Sequence, residues 1–302
     1  MDTKAIDADW IAVDWGTTNL RAWAIQDGSV VATGGSDQGM GVLAPEGFEA
    51  ALLDVIAPWL DRNRIPLVAC GMVGAKTGWS EAPYRAVPCS PVAASAVRPK
   101  ASDPRLDVAI LPGLSQQDPP DVMRGEETQI AGFLAKDPQF NGVLCLPGTH
   151  TKWVQMSAGE VISFRTFMTG ELFALLSEKS ILRHSMRDDW SGSDFADGVG
   201  EAMSRPEALA NRLFSLRAAS LVVDEENISV SARLSGLLIG AELAAARPYW
   251  LGQRIALIGD PKLSGHYSNA LALQGVNAET ENADAVTLAG LTVAYQTLRD
   301  LG

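Results

Sequence analysis

Short apolar runs that end in small or acidic residues alternate along this chain with longer stretches of helical period. Residues 11–13 (Ile-Ala-Val) form the first run and deliver a single acid, Asp14. Gly16, Thr17, Thr18 and Asn19 follow, and a second β-prone run over 20–25 begins at once. Residues 30–33 read as a third strand, with Gly34, Gly35, Gly39 and Gly41 predicting a flexible loop around Met40. Over 45–63, Phe48, Leu52, Leu53, Ile56 and Leu60 recur at helical spacing. Residues 67–70 predict a buried strand ending in Gly71-Met72-Val73-Gly74. A Pro-rich irregular stretch over 79–104 and a strand over 108–111 come next. Arg124-Gly-Glu-Glu-Thr-Gln starts a helix through Ile130, Phe133 and Leu134. Its first-turn acids suit the positive end of the helix dipole.

The pattern then repeats. A strand over 143–146 meets Pro147-Gly148-Thr149-His150-Thr151-Lys152, and strands over 154–156 and 161–164 pair across a turn. Helices are predicted over 169–183, 198–220, 226–246, 262–274 and 284–299. A strand over 255–258 ends in Gly259-Asp260. The chain is thus α/β, and each half opens on a β-meander with a Gly-Thr turn. Two such halves facing each other would clamp a polyphosphate from both sides.

Composition narrows the field. A chain of 302 residues suggests about two domains at roughly 150 residues each, and 47% hydrophobic residues supply two cores. The net charge of −12 argues against a nucleic-acid partner, whose affinity rests on phosphate neutralisation. An acidic chain that binds anions must build a local positive patch, so Lys and Arg near Gly-rich turns matter. Cys70, Cys89 and Cys145 are too few and too unevenly spaced for a disulfide framework or a zinc site. No run approaches the ~18 apolar residues of a membrane span, and the charged N-terminus is unlike a signal peptide. The expected location is cytoplasmic, away from any membrane.

Several groups could carry chemistry. Gly16 permits close approach of backbone N–H groups to an anion, and Thr17, Thr18 and Asn19 add donors. Asp14 is a hard oxygen ligand of the kind that holds Mg²⁺. Alone, this segment is equally an ordinary hairpin with a polar turn. Gly148, Thr149, Thr151 and Lys152 echo it, with Lys152 supplying positive charge, and His150 reads as a turn donor. Glu126 or Glu127 could accept a proton from an attacking hydroxyl, and Arg124 could hold an anionic group. Gly259, Asp260 and Ser264 follow a buried strand and suit an adenosine contact. The small residues of 234–240 favour helix packing over an adenine pocket. Gly39, Met40, Gly71, Met72, Trp79 and Tyr84 suit a small-molecule pocket, with Arg21, Arg85 and Arg165 as candidates for a substrate carboxylate.

Taken together, Asp-Trp-Gly-Thr-Thr-Asn-Leu-Arg-Ala-Trp, Arg-Gly-Glu-Glu-Thr-Gln, Leu-Pro-Gly-Thr-His-Thr-Lys-Trp and Leu-Ser-Gly-Leu-Leu-Ile-Gly resemble the 2-dehydro-3-deoxygalactonokinase family of the actin, hexokinase and Hsp70 ATPase superfamily. The resemblance runs from residue 11 to about 295. It implies two RNase H-like domains of mixed sheet and helices flanking an ATP cleft. Residues 1–135 would carry the first phosphate loop and the sugar-acid pocket, with helix 284–302 packed back on them. Residues 136–283 would carry the second loop and the adenosine site. The helix after Arg124 and the last helix would connect the domains.

Asp14 would organise Mg²⁺, and the implied partners are ATP and a small-molecule sugar acid; a homodimer is compatible with this. Many superfamily members carry an acid just before the second turn, where this chain has Pro147, so the base falls to Glu126 or Glu127. The implied reaction is ATP-dependent phosphorylation of the 6-hydroxyl of 2-dehydro-3-deoxy-D-galactonate, in galactonate breakdown. The alternatives are a kinase for another sugar acid such as 2-dehydro-3-deoxygluconate, and a non-catalytic nucleotide-binding regulatory or chaperone-like module.

Overall fold

The alternation of the first strands sorts their side chains to two faces. In β1 (Trp10–Trp15), Ile11, Val13 and Trp15 join one buried cluster while Trp10 and Ala12 join another. The computed structural model describes residues 7–222 and 228–301, in two compact units. The first comprises the described residues of 1–140, 158–162 and 283–302, and the second those of 141–157 and 163–282.

In the first unit β1, β2 (Leu20–Gln26) and β3 (Ser29–Ser36) form an antiparallel meander. Asp27 and Gly28 make its second turn with φ of 51° and 75°, the geometry that matches strand twist in a tight hairpin. Gly34 and Gly35 lie inside β3, not in a loop as expected. A Cβ on Gly34 would come within 2.7 Å of Val55, so glycine here serves close packing. The helix α1 (Phe48–Ile56) buries Phe48, Leu52 and Ile56 on one face of the sheet and gives way to a 3-10 turn containing Pro58. β4 (Ile65–Gly71) runs parallel to β1, and the two-residue β5 (Arg85–Ala86) lies in the Pro-rich stretch. β6 (Leu106–Ile110) extends the sheet, giving the order β3-β2-β1-β4-β6. β7 (Leu114–Gln117) and β8 (Pro120–Met123), absent from the sequence reading, form a small sheet with β5, and α2 (Glu126–Lys136) follows.

The second unit repeats the plan. β9 (Gly142–Leu146), β10 (Thr151–Ser157) and β11 (Glu160–Phe167) form its meander, and Ala158 and Gly159 again take positive φ at the second turn. Asp27 and Ala158 are the only described non-glycine residues with positive φ, and they occupy corresponding turns. α3 (Thr169–Glu178), α4 (Gly192–Ser204) and α5 (Leu209–Val222) follow. The single helix expected over 198–220 is therefore two. Arg205 precedes Pro206 and leaves the helical region at φ −143°, ψ 70°, as residues before proline do.

α6 (Val230–Ala245) lies in the region expected at 226–246, of which residues 226 and 227 are outside the described set. α7 (Arg247–Trp250), β12 (Ile255–Gly259), α8 (Pro261–Ala272) and β13 (Ala278–Asn282) complete the unit, with sheet order β11-β10-β9-β12-β13. In each sheet the third, second, first, fourth and fifth strands are thus neighbours in that order. The polar β13 was not expected; it pairs parallel with β12 at the sheet edge. Gly198, Gly236 and Gly240 let α4 and α6 touch, because a Cβ on Gly236 would collide with the Phe195 carbonyl.

The last helix, α9 (Ala283–Leu301), belongs to the first unit. Its Leu291 and Ala294 cover the second face of the β1 sheet, and Trp10 stacks on Tyr295 with ring centroids 4.4 Å apart. No described helix is long and apolar enough to cross a membrane.

Candidate active site

In the first unit, Asp14 is the last residue but one of β1, opposite Arg21 on β2 and Cys70 on β4. Its Oδ2 accepts from Arg21 at 2.5 Å, and the Cys70 thiol lies 3.6 Å from Oδ1. The other terminal nitrogen of Arg21 is bound by Asp284 at the start of α9. Both ends of this guanidinium are thus on carboxylates. The turn at 16–19 is supported from behind. Gly39, Met40 and Gly41 donate their amides to the carbonyls of Thr18, Gly16 and Thr17 at 3.1, 3.1 and 2.8 Å. With those carbonyls drawn back, the exposed Thr17, Thr18 and Asn19 present donors on the other side. Gly39 is required for the fit, since a Cβ there would collide with the Thr17 carbonyl.

Gly71 joins Asp14 to the helix that follows. At φ 90° a Cβ on it would meet the Trp15 carbonyl at 2.5 Å, while a Cβ on Gly125 would lie 3.4 Å from the Gly71 Cα. The start of α2 therefore sits beside the end of β1. Both glutamates fold back on their own helix start, Glu126 accepting from the Arg124 amide at 3.0 Å and Glu127 from the Gly125 amide at 2.7 Å. Glu127 is buried and also accepts from Thr128 at 3.1 Å. Burial, with Glu126 adding repulsion, pushes its carboxyl up to about 7. Glu126 is only half-buried. Burial also raises the Cys70 thiol, with Asp14 and Glu127 contributing.

The remaining first-unit candidates divide. Arg124 is 9% exposed, donates to the Ala82 carbonyl at 2.7 Å and lies 4.3 Å over the Tyr84 ring. Its Nε and Nη1 are buried with no protein partner, which leaves donors for an anionic group. Met40 and Trp79 pack on the core cluster, with Met72 half-buried after Gly71. Arg85 clips the Pro-rich stretch by donating to the carbonyls of Ser90, Pro91 and Val92. Arg165 lies exposed on β11 and belongs to the second unit.

The second unit holds a cavity of about 620 Å³, a size suited to a drug-sized ligand. Gly148 and Thr149 lie at its wall with Thr169 and Gly170, and Asp260, Lys262 and Leu263 contribute from the start of α8. Trp190 lines it too, stacked on His266 at 4.0 Å; neither was singled out in the sequence. Ser235, Leu238 and Ile239 face this cavity while Gly236 and Gly240 face α4, so the small-residue stretch serves both purposes. Asp260 caps α8, accepting from the amides of Lys262 and Leu263 at 2.9 and 3.1 Å. Ser264 is buried with its hydroxyl unpartnered, and a Cβ on Gly259 would lie 2.8 Å from it. Thr151 and Lys152 are buried. Thr151 pairs with the Tyr267 hydroxyl at 2.8 Å, and Lys152 Nζ donates to the His150 carbonyl at 3.4 Å.

A buried carboxylate went unread in the sequence. Glu242 accepts from Trp153 at 2.7 Å, from Tyr267 at 2.8 Å and from Thr169. Burial pushes it up to about 7 against the pull of these three donors.

Two α/β units with the same strand order, each with a donor-rich Gly-Thr turn between its first two strands, define a protein of the actin-like ATPase fold. More distant solved structures, 11–12% identical with TM-scores of 0.52, share that fold. The chain belongs to the family described as 2-keto-3-deoxy-galactonokinase, whose profile matches residues 14–294. It is 38% identical over 297 residues to DgoK1 of Rhizobium meliloti (strain 1021), assigned as a 2-dehydro-3-deoxygalactonokinase, covering 96% of this chain and 97% of that one. It is 36% identical over 288 residues to the 2-dehydro-3-deoxygalactonokinase of Escherichia coli (strain K12), covering 94% and 96%. A crystal structure from Sinorhizobium meliloti, described under the same enzyme name, matches with a TM-score of 0.89 at 38% identity over 96% of this chain and 99% of that one.

Proposed function

We propose that the protein transfers the γ-phosphoryl group of ATP to the 6-hydroxyl of 2-dehydro-3-deoxy-D-galactonate, in the cytoplasm, as a step of galactonate breakdown. The observation that carries this reading is Asp14 at the end of β1 beside a turn whose carbonyls are drawn back by residues 39–41. That arrangement offers one hard ligand and a set of donors to a phosphate. Family membership supplies the sugar-acid class.

Mg²⁺ fits this donor set. No group of three or more His, Cys, Asp or Glu among the described residues could cage a metal. Mg²⁺ is commonly held by one or two carboxylates together with substrate phosphates. Asp14 would hold it, and the ion would neutralise charge on the phosphates. Thr17, Thr18 and the amides of 17–19 bind phosphate oxygens in this account, the Gly16 amide being engaged by the Asn19 carbonyl at 2.9 Å. Gly148 and Thr149 do so from the second unit, whose cavity takes the adenosine beside Gly259, Asp260 and Ser264. Residues 1–135, with helix 284–302, would thus carry the first phosphate loop and the sugar-acid pocket, and residues 136–283 the second loop and the adenosine site. The spare donors of Arg124 suit the sugar-acid carboxylate. Of the two glutamates, Glu126 is the more exposed and is assigned to accept the hydroxyl proton, while Glu127 fixes the helix start.

Glu126→Gln is expected to lower kcat by about 10²–10⁴-fold, the usual worth of a general base. Glu127→Gln should lower it far less; the reverse ranking would exchange their roles. The activity itself is tested by incubating protein, ATP, Mg²⁺ and the sugar acid and examining the product by ³¹P NMR. A phosphomonoester coupled to the C6 protons is expected. Inorganic phosphate as the sole product would overturn the proposal.

A further inference from the structure

We propose that Glu242 is a positioning residue for nucleotide binding, holding the 148–151 turn against the cavity of the second unit. The inference rests on the reading that this cavity takes ATP. Glu242 sits on α6, 3% exposed, and its three named donors come from three other elements. Trp153 reaches it from β10, Thr169 from the first residue of α3 and Tyr267 from α8. Thr169 and Tyr267 also line the cavity. The Tyr267 hydroxyl in turn meets Thr151, the first residue of β10.

The start of α3 is itself the backing of the turn. The Glu171 amide donates to the Thr149 carbonyl at 2.9 Å, and the Glu171 carboxylate meets His150 Nε2 at 2.6 Å. Gly170 presses so closely on Gly148 that a Cβ would collide with the Gly148 carbonyl. One carboxylate therefore ties both ends of the turn, through Thr151 on one side and Thr169 on the other. All three named donors to it are neutral. A buried carboxylate without a cation is a poor source of stability, and an apolar side chain of similar size would fill the space at lower cost. What the carboxylate adds is orientation, since it can accept several directed hydrogen bonds at once.

The test compares Glu242→Gln, Thr169→Val and Tyr267→Phe with the parent protein. ADP binding is measured by calorimetry, KM for ATP and for the sugar acid by steady-state kinetics, and folding by thermal melting. Both carboxyl oxygens accept, and Glu242→Gln turns one of them into an NH2 donor, so it should raise the ADP Kd and the ATP KM about tenfold. Thr169→Val and Tyr267→Phe should raise them about threefold. The sugar-acid KM should stay within about twofold, because its ligands lie in the first unit.

Unchanged ADP affinity in folded variants would overturn the proposal, as would equal changes in both KM values. Should Glu242→Gln not fold, the other two variants decide by the same readouts. Absence of ADP binding by the parent protein would instead overturn the ATP reading of the cavity, before any variant is compared.

Discussion

Three carboxylates stand in two different settings. Asp14 is only partly buried and is paired with Arg21. Asp14→Asn should reduce kcat by about 10²–10³-fold, as loss of a group acting on developing charge does. The sugar-acid KM should change little; comparable losses in both would remove the metal role. Glu127 and Glu242 are buried and held near 7, against 4.5 in the unfolded chain. The folded state then keeps the extra proton between those values, so stability from these groups is fullest below about 4.5 and falls as pH rises to 7. Each shift corresponds to about 3 kcal/mol. Urea denaturation at pH 5 and pH 7.5 should show a smaller pH-dependent loss for Glu242→Gln than for the parent; an identical slope would contradict it. Asp14 was legible because it closes an apolar run before a glycine turn. Glu242 was not, because one acid in an apolar helix gives no sign of which donors other elements will bring to it.

Glycines decide how the elements meet. Gly132 on α2 and Gly290 on α9 allow those helices to touch, and a Cβ on Gly290 would collide with the Thr128 carbonyl. Gly290→Ala should cost roughly 1–3 kcal/mol, the usual range for overpacking, as a lower urea midpoint with unchanged m-value. Gly39→Ala should act differently, displacing the 16–19 turn and raising the ATP KM more than it lowers the melting temperature. Most elements were legible as apolar runs of period 2 or 3.6. The exceptions have physical reasons. β13 (Ala-Glu-Thr-Glu-Asn) is polar because it is an edge strand, held by backbone pairing to β12. β7 and β8 are four residues each, too short to show a period. The break at Arg205–Pro206 was masked by apolar residues on both sides, although the proline was in view.

At the scale of the whole molecule, the repeat seen in the sequence is a repeat in topology, down to the positive-φ turn in each meander. The sequence motifs marked the two Gly-Thr turns, but they did not show that residues 39–41 back the first or that α3 backs the second. Those contacts join segments about 20 residues apart, and the intervening sequence carries no mark of them. The aromatic pair Trp190 and His266 joins positions still further apart in the chain and was hidden likewise. The family accounts for the duplicated plan, and the chemistry then turns on the acceptor. A coupled assay of ADP release with ATP, Mg²⁺ and a panel of sugar acids tests this most directly. The account predicts release that depends on the acceptor, with the highest kcat/KM for 2-dehydro-3-deoxygalactonate and a lower value for 2-dehydro-3-deoxygluconate. Release no faster with any sugar acid than with ATP alone would contradict it.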